Sequence, residues 1–205
     1  MTEHLVYLVD DDEAIRDALS WLLRSRGIAS HAWPTAEAFL ADYSTAMLGC
    51  LILDIRMTGM TGVELFDQLL ARGCILPVIF LTGHGDVPLA VKTLKRGAFD
   101  FIEKPFNDNE LVDRVLEALR FAANLRGREA DRARLGERLA ALTEREKEVM
   151  ACILAGKLNK VIADELQIAM RTVEVHRARI FEKMGVRSAV ELAQLLSPPP
   201  DSGSR

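Results

Sequence analysis

Two hydrophobic periodicities divide this chain and restrict the folds that it can adopt. In the first 120 residues, short apolar segments alternate with segments whose apolar residues recur at helical spacing. The short segments predict β-strands at residues 4–9, 27–32, 49–54, 77–82 and 98–103. The first, third and fourth strands are almost wholly apolar, as expected of strands covered on both faces. Five strands alternating with five helices predict an α/β fold with a five-stranded parallel, doubly wound sheet.

Only helical patterns follow from about residue 121, so a second domain is predicted after a first domain of residues 1–121. Residues 122–140 are charged and rich in alanine and contain two glycines, which favours a linker that partly continues the last helix. Four short helices predict a small all-α domain at residues 141–197. The remaining residues, 198–205, are rich in Pro, Ser and Gly and predict a disordered tail.

Three predicted helix starts carry a hydroxyl residue followed three positions later by glutamate, which is the pattern of a capping box. These pairs are Thr61 with Glu64, Thr143 with Glu146, and Ser188 with Glu191. In the second domain a longer helix is predicted from about Met170 to Met184, and Gly185 ends it.

The composition excludes several classes of protein. Hydrophobic residues make up 49% and charged residues 27% of the chain, which is ordinary for a globular protein. No apolar stretch approaches the ~20 residues of a membrane span, and the N-terminus does not have the pattern of a signal peptide. The three cysteines are isolated, which suits a reducing cytoplasm and excludes a thiolate metal cage. We therefore expect a cytoplasmic protein with no membrane partner.

The net charge of −4 is unevenly distributed along the chain. Residues 1–121 carry a net charge of −7, whereas residues 122–140 carry +2 and residues 141–197 carry +1. An acidic first half followed by a mildly basic second half predicts two domains with different partners. The second half is not basic enough for charge alone to establish nucleic-acid binding.

Asp10, Asp11 and Asp12 directly follow the first predicted strand. Carboxylates about 4 Å apart repel by about 4 kcal/mol at an effective dielectric of about 20, so a fold that gathers them needs something to compensate. A single aspartate is readily explained as the N-cap of the following helix, and Asp12 fits that role best. Three in succession point to a cation or to catalysis.

Chemically active side chains stand at the carboxyl ends of the predicted strands, where ligands bind in open parallel sheets. In strand order these side chains are Asp10 and Asp11, Asp54, Thr82 and Lys104. Two or three acid oxygens make an octahedral Mg²⁺ site that keeps positions for water and a phosphoryl oxygen. Asp54 could then act as a carboxylate nucleophile and form an aspartyl phosphate. Thr82 and Lys104 would bind the oxygens of the transferred group.

Four segments make the first domain resemble the response-regulator receiver domains of two-component signalling. They read LVDDDEAIRDAL, LDIRMTGMTGVEL, LTGHGDVPLAV and GAFDFIEKPF. The resemblance covers about residues 4–121 and implies a flavodoxin-like fold. It also implies that Asp54 is the phosphoacceptor and that a sensor histidine kinase is the partner.

The same resemblance implies roles for the residues around Asp54. A Mg²⁺ or Mn²⁺ ion would be held by Asp10, Asp11, Asp54 and the backbone carbonyl of Arg56. The residues that would bind the phosphoryl group or respond to it are Thr82, Phe101 and Lys104, and the Lys104–Pro105 bond would be cis. The chain departs from the family where Met57 is followed by Thr58 instead of proline. We expect this departure to loosen the loop without removing a reactive group.

A competing interpretation is a phosphatase of the haloacid-dehalogenase type, which would use the pattern Asp10-x-Asp12 after the first strand. Such enzymes need a further acidic pair at a later strand end. The acidic residues that follow Lys104 most closely lie inside a predicted helix: Asp108, Glu110 and Asp113. This interpretation also leaves Asp54 without a role, so the receiver is preferred.

Residues 142–196 resemble the LuxR-type helix-turn-helix domain through the segments LTEREKEV, AGKLNKVIADEL, RTVEVHRARI and KMGV. Joined to a receiver of this kind, the domain is similar to the FixJ-like branch of response regulators. A generic four-helix packing module would use the same apolar core. The helix at residues 170–184 favours DNA binding because it carries four Lys or Arg against two Glu.

The predicted DNA contacts divide into two groups. The side chains that could enter a major groove are Arg171, Glu174, Val175 and Ala178. The side chains suited to phosphates are Lys160, Thr172, His176, Arg177 and Arg179, and Lys183 adds to the positive charge of the helix. His176 could equally be a structural histidine. Leu158 and Ala169 stand where the family often has serine, and losing a serine N-cap at 169 would cost about 1 kcal/mol.

The combined pattern predicts a two-component transcriptional regulator that is not an enzyme. A histidine kinase would phosphorylate Asp54, and the receiver would then switch between two states. The phosphorylated protein would bind paired DNA half-sites as a homodimer, with RNA polymerase as a further expected partner. The alternative is a phosphorylation-independent DNA-binding scaffold whose receiver serves only in dimerisation.

Overall fold

The computed structural model describes residues 5–83 and 87–197. Contacts divide the chain into two compact units, Met1–Gly127 and Arg128–Arg205, and the division falls inside the predicted linker. The predicted disordered tail at residues 198–205 lies outside the described residues. Each unit has its own hydrophobic core.

The first unit is built on a five-stranded sheet with the order β2-β1-β3-β4-β5. Every pair of neighbouring strands is parallel. The strands are β1 (Leu5–Val9), β2 (Ala29–Trp33), β3 (Gly49–Asp54), β4 (Val78–Thr82) and β5 (Asp100–Glu103). The predicted α/β fold with a doubly wound parallel sheet is therefore confirmed.

Helices cover both faces of the sheet because alternate strand residues point to opposite sides. The helices of this unit are α1 (Glu13–Ser25), α2 (Ala36–Asp42), α3 (Gly62–Ala71), α4 (Val87–Leu94) and α5, which begins at Asp108. One core cluster packs residues such as Leu51 and Phe80 against α2 and α3. The other packs residues such as Ile52 and Leu81 against α1 and the first turns of α5.

Two strands begin two residues later than predicted. At β2, Gly27 has a φ of 71° and ends α1, with its amide and that of Ile28 bonded to carbonyls of the helix. At β5, the amides of Gly97 and Ala98 likewise bond to the last turn of α4. In both cases the apolar segment starts with the residues that close the preceding helix, and periodicity alone does not separate the two roles.

Helix α5 runs from Asp108 to Ala140, so the predicted linker is wholly helical. The predicted continuation of the last receiver helix into the linker is therefore found, and it extends through Gly127 and Gly136 to the end of the segment. A glycine inside a helix costs about 1 kcal/mol relative to alanine, and the surrounding alanines and arginines are good helix formers.

The second unit is all-helical in its described part. After the end of α5, its helices are α6 (Glu144–Leu154), α7 (Asn159–Glu165), α8 (Met170–Met184) and α9 (Ala189–Leu196). Their core includes Val149, Ile162, Val173, Ile180 and Leu192, each fully buried. The small all-α domain and the bounds of its longest helix agree with the prediction.

Two of the three predicted capping boxes are complete, at Thr61/Glu64 and Thr143/Glu146. The third is half formed: Ser188 accepts from the amide of Glu191, but the Glu191 carboxylate accepts from the amide of Arg187. Among the helices described, none is both long enough and apolar enough to cross a membrane.

Candidate functional site

The carboxyl ends of β1 and β3 bring Asp10, Asp11 and Asp54 together. The two strands are neighbours and parallel, so residues that follow them meet at one edge of the sheet. Each of the three aspartates places a carboxylate oxygen within 4.8 Å of the others. Asp10 and Asp54 are buried, whereas Asp11 is exposed. The sequence therefore located this acidic pocket correctly.

Lys104 joins the pocket from the end of β5 and contacts two of its acids. Its ammonium lies 2.9 Å from Asp10 Oδ2 and 2.8 Å from Asp54 Oδ1. Burial on its own lowers the pKa of Lys104, but the hydrogen bonds to Asp54 and Asp10 outweigh it and raise the pKa. The ammonium is therefore held in its charged form. The Lys104–Pro105 bond is cis, as the resemblance implied.

Burial raises the pKa of the Asp54 carboxyl, and the charges of Asp10 and Asp11 add to this effect, while Lys104 opposes it. When ionised, the three carboxylates carry three negative charges, and the Lys104 ammonium balances only one of them. A divalent cation would balance the rest, and oxygen donors suit Mg²⁺ or Mn²⁺.

The loop after β3 is anchored to the pocket at Thr58. Its backbone amide and its hydroxyl each donate a hydrogen bond of 2.8 Å to Asp11 Oδ2. These bonds stabilise the ionised carboxylate and lower the pKa of Asp11. In the same loop, the amide of Met60 donates to Glu37 Oε1 at 2.9 Å. The looser loop expected from Thr58 is therefore not found.

The remaining residues expected around the phosphoryl group lie at strand ends or beside them. Thr82 ends β4 and is buried, and its hydroxyl is 3.3 Å from the carbonyl oxygen of Gly83. Phe101 is half-buried on β5, where it pairs in register with Phe80. Arg56 is exposed two residues after Asp54. These positions are compatible with the expected roles.

Sequence reasoning missed the contribution of Gly62, the first residue of α3. Its amide donates to the carbonyl of Ile55 at 3.0 Å. A Cβ atom at Gly62 would lie 2.0 Å from the carbonyl oxygen of Asp54, which is far inside van der Waals contact. Only glycine lets α3 begin this close to the phosphoacceptor candidate. The signal in the sequence was a glycine at the first position of the helix, directly after the N-cap Thr61. A glycine is not needed there for a turn, which points to a close contact instead.

Helices α7 and α8 form a helix-turn-helix in the second unit. In the turn, Gln167 adopts a left-handed backbone with a φ of 51°. At 3.6 residues per turn, the predicted groove-facing residues lie on one stripe of α8, opposite the buried Val173, Ile180 and Met184. All four stripe residues are exposed: Arg171, Glu174, Val175 and Ala178.

The predicted phosphate contacts differ in how free their side chains are. Three are exposed, namely Lys160, Thr172 and Arg179. Arg177 is half-buried, with its guanidinium 5.4 Å from the centre of the Phe181 ring. His176 is also half-buried, and its Nδ1 atom is buried without a hydrogen-bond partner. Arg177 thus packs partly against its own helix, and the His176 ring is partly withdrawn from solvent.

Lys183, the remaining predicted DNA contact, makes two contacts inside its own domain. Its ammonium lies 2.7 Å from Glu146 Oε2 and 3.0 Å from the carbonyl oxygen of Ala141. The Glu146 carboxylate is buried and also accepts from the amide of Thr143. Counting charges along α8 could not reveal this partner, because Glu146 lies on α6.

The two helices of the motif begin without side-chain caps. Leu158 precedes α7 and Ala169 precedes α8, and neither side chain makes a capping hydrogen bond. This agrees with the departures from the serine pattern noted in the sequence. The start of α8 therefore depends on packing more than on capping.

Comparison with known protein families matches both units. Residues 6–116 match the model described as the response regulator receiver domain. Residues 140–196 match the model described as bacterial regulatory proteins of the luxR family. The first match alone covers more than half of the chain.

Curated relatives span nearly the whole length. The chain is 53% identical over 195 residues to the C4-dicarboxylate transport transcriptional regulatory protein DctR of Rhodobacter capsulatus, covering 93% of this chain and 98% of that one. It is 44% identical over 190 residues to the transcriptional regulatory protein FixJ of Azorhizobium caulinodans, covering 93% and 90%.

Solved structures show the same similarity. The response regulator StyR aligns with a TM-score of 0.89 at 39% identity, covering 95% of this chain and 98% of that one. Full-length FixJ from B. japonicum aligns with a TM-score of 0.61 at 42% identity, covering 95% and 96%. These relatives are transcriptional response regulators and not enzymes. The chain therefore belongs to the response regulators of two-component systems, in the FixJ-like branch that joins a receiver domain to a LuxR-type DNA-binding domain.

Proposed function

We propose that this transcriptional regulator accepts a phosphoryl group on Asp54 from a sensor histidine kinase and that phosphorylation controls its binding to promoter DNA. The observation that carries the proposal is the position of Lys104, whose ammonium contacts both Asp10 and Asp54 in a pocket of three acids. Such a pocket combines a carboxylate nucleophile with the positive charge that a phosphoryl group requires. We further propose that the protein acts in the cytoplasm, where a kinase-controlled DNA-binding protein would reach its promoters.

In the proposed reaction, an oxygen of Asp54 attacks the phosphorus of a phosphohistidine on the kinase. The new O–P bond forms as the P–N bond breaks, and the histidine nitrogen keeps the electron pair and takes up a proton. Lys104 exchanges its contact with Asp54 for one with a phosphoryl oxygen. Thr82, at the neighbouring strand end, supplies a hydroxyl to a second oxygen.

The acidic pocket fits a divalent metal ion. We propose that Asp10, Asp11 and Asp54, with the backbone carbonyl of Arg56, hold Mg²⁺ or Mn²⁺, since the carboxylates alone carry more negative charge than Lys104 balances. A bound ion would supply positive charge next to the phosphoryl oxygens. The protein's own part is to keep Asp54 ionised and oriented, which Lys104 does through its contact at 2.8 Å.

We propose that the conformational change caused by the phosphoryl group is transmitted through Thr82 and Phe101. Both residues are on the last two strands of the sheet, and Phe101 is only half-buried, so its ring has room to change rotamer.

The domains are proposed to be the receiver at residues 1–121, the helical connection at 122–140 and the DNA-binding domain at 141–197. Phosphorylation would favour a homodimer that binds paired half-sites and works with RNA polymerase.

Phosphorylation itself is tested with acetyl phosphate and Mg²⁺ on the full-length protein. Intact-protein mass spectrometry should detect one phosphoryl group per chain, which hydroxylamine removes, and Asp54→Asn should abolish it. Asp12→Asn is the matched control, because Asp12 caps α1 through the amides of Ala14 and Ile15 and asparagine caps equally well. Full labelling of Asp54→Asn at another residue would disprove the assignment.

A further inference from the structure

Thr58 is the feature of the receiver pocket that its family membership does not explain. It stands four residues after Asp54, where receiver domains usually have proline. Proline has neither an amide hydrogen nor a hydroxyl, so it cannot make either of the bonds that Thr58 makes. The contact between Thr58 and Asp11 therefore depends on this substitution.

The contact acts on one defined atom. The amide and the hydroxyl of Thr58 both donate to Asp11 Oδ2, each at 2.8 Å, across 47 positions of sequence. Two donors on one carboxylate oxygen fix both the position and the rotation of the group. Hydrogen bonds to an ionised acceptor are also stronger than neutral ones.

Asp11 needs such an anchor more than its neighbours do. Asp10 is buried and accepts from the amide of Asp12 and from Lys104, and Asp54 is buried against Lys104. Asp11 is exposed and lies beside two other acids that repel it. An unanchored side chain here would turn toward solvent and would have to be ordered again when a cation binds.

We propose that Thr58 is a positioning residue that holds Asp11 ready for the divalent cation and thereby strengthens cation binding by the unphosphorylated protein. The two bonds also withdraw charge from the carboxylate, which opposes binding. Outer-shell partners nevertheless favour binding on balance, since their loss typically costs metal sites about 10–100-fold in affinity. The inference rests on the proposed function, because it takes Asp11 as a ligand of that cation.

Isothermal titration of the full-length protein with MgCl₂ tests the proposal, with the dissociation constant for Mg²⁺ as readout. Thr58→Val removes the hydroxyl and keeps the amide, and it should weaken binding about threefold to tenfold, less than a full outer-shell loss of about 10–100-fold because one of the two donors remains. Thr58→Pro removes both donors and should weaken binding more. Thr58→Ser keeps both donors and should leave the dissociation constant for Mg²⁺ at its wild-type value.

Glu37→Ala is the matched control for a general loosening of the loop. It releases the amide of Met60 in the same loop but leaves the bonds between Thr58 and Asp11 in place. Its Mg²⁺ constant should stay within about twofold of wild type, well below an outer-shell effect. If it weakens binding as much as Thr58→Val does, loop rigidity explains the effect and the proposal falls.

Asp11→Asn separates failure of this inference from failure of the proposed function. If Asp11→Asn greatly weakens Mg²⁺ binding while Thr58→Val and Thr58→Pro leave it unchanged or tighter, only the role of Thr58 is disproved. If Asp11→Asn has no effect either, the cation is not held at this pocket, and the metal site of the proposed function fails together with the inference.

Discussion

At the scale of single residues, Glu146 shows how a buried charged side chain can hold two helices together. Its carboxylate is buried, forms an ion pair with Lys183 and completes the capping box of α6. The hydrogen bond from Lys183 and the backbone bond at Thr143 lower the pKa of Glu146 from 4.5 to about 2. The pair fixes α8, and with it the exposed stripe, against α6.

Glu146→Gln should destabilise the second unit by about 2 kcal/mol at neutral pH, because it leaves the Lys183 ammonium without its charged partner. A carboxyl with a lowered folded-state pKa contributes stability that is complete above its unfolded value. That contribution is lost as the pH falls from about 4.5 toward 2. Urea unfolding of residues 128–205 between pH 7 and pH 3 should therefore show a shallower acid dependence for the variant.

Glu148→Gln on the same helix is the control for this measurement. Glu148 forms an exposed i,i+3 pair with Arg145, and such pairs contribute about 0–1 kcal/mol. Equal losses in the two variants, or an unchanged acid dependence in Glu146→Gln, would contradict a structural role for the buried pair.

The residues of the acidic pocket could be predicted because each follows or ends a parallel strand, and parallel strands bring such positions to one edge. Asp10, Asp54 and Lys104 could be assigned to the pocket from their positions at strand ends, without knowledge of side-chain packing. The partners of Thr58 and Lys183 could not be predicted, because they lie 47 and 37 positions away and depend on how loops and helices pack. Sequence periodicity identifies faces and strand ends but not individual contacts.

At the scale of elements, α5 and α8 show the strength and the weakness of local patterns. The bounds of α8 follow from its periodicity and from Gly185, which takes a left-handed φ of 67° after the last turn. The second half of α5 has little apolar periodicity and was predicted as a partly helical linker. Intrinsic helix propensity, together with the packing of Leu135 and Leu139 against the core of the second unit, explains why it is helical throughout.

The residues of the exposed stripe of α8 and the cations beside it are expected to have different roles in DNA binding. Glu174→Ala should relax the preference at one base pair by about 1–3 kcal/mol, because glutamate can accept from a cytosine amino group. Lys160→Ala should weaken all sequences alike and reduce the salt dependence by about one phosphate contact. Selection from a randomised half-site at two salt concentrations measures both effects.

Lys147→Ala is the control for a simple loss of positive charge. Lys147 lies on α6 and pairs with Glu144, so its removal should leave both affinity and salt dependence unchanged. If Glu174→Ala keeps the preferred sequence while Lys160→Ala changes it, the orientation of α8 inferred here is wrong.

At the scale of the whole molecule, the chain joins an acidic unit to a mildly basic one through a continuous helix. Each unit has its own core and its own candidate site, so control by phosphorylation requires an energetic coupling between them. The fold of each unit follows from its sequence pattern. The coupling does not, because it depends on the difference between two states of the receiver.

We expect phosphorylation to tighten DNA binding by the full-length protein about tenfold. A change of this size in affinity is typical of coupling between two sites. The Asp54→Asn variant should bind with the unphosphorylated affinity whether or not acetyl phosphate is present. A fragment of residues 128–205, which contains the complete second unit, should bind DNA without responding to acetyl phosphate. Fluorescence anisotropy with a selected site and sedimentation velocity would follow affinity and oligomeric state together. If phosphorylation changes neither quantity in the full-length protein, the receiver is not a switch, and a DNA-binding scaffold that uses the receiver only for dimerisation becomes the better description.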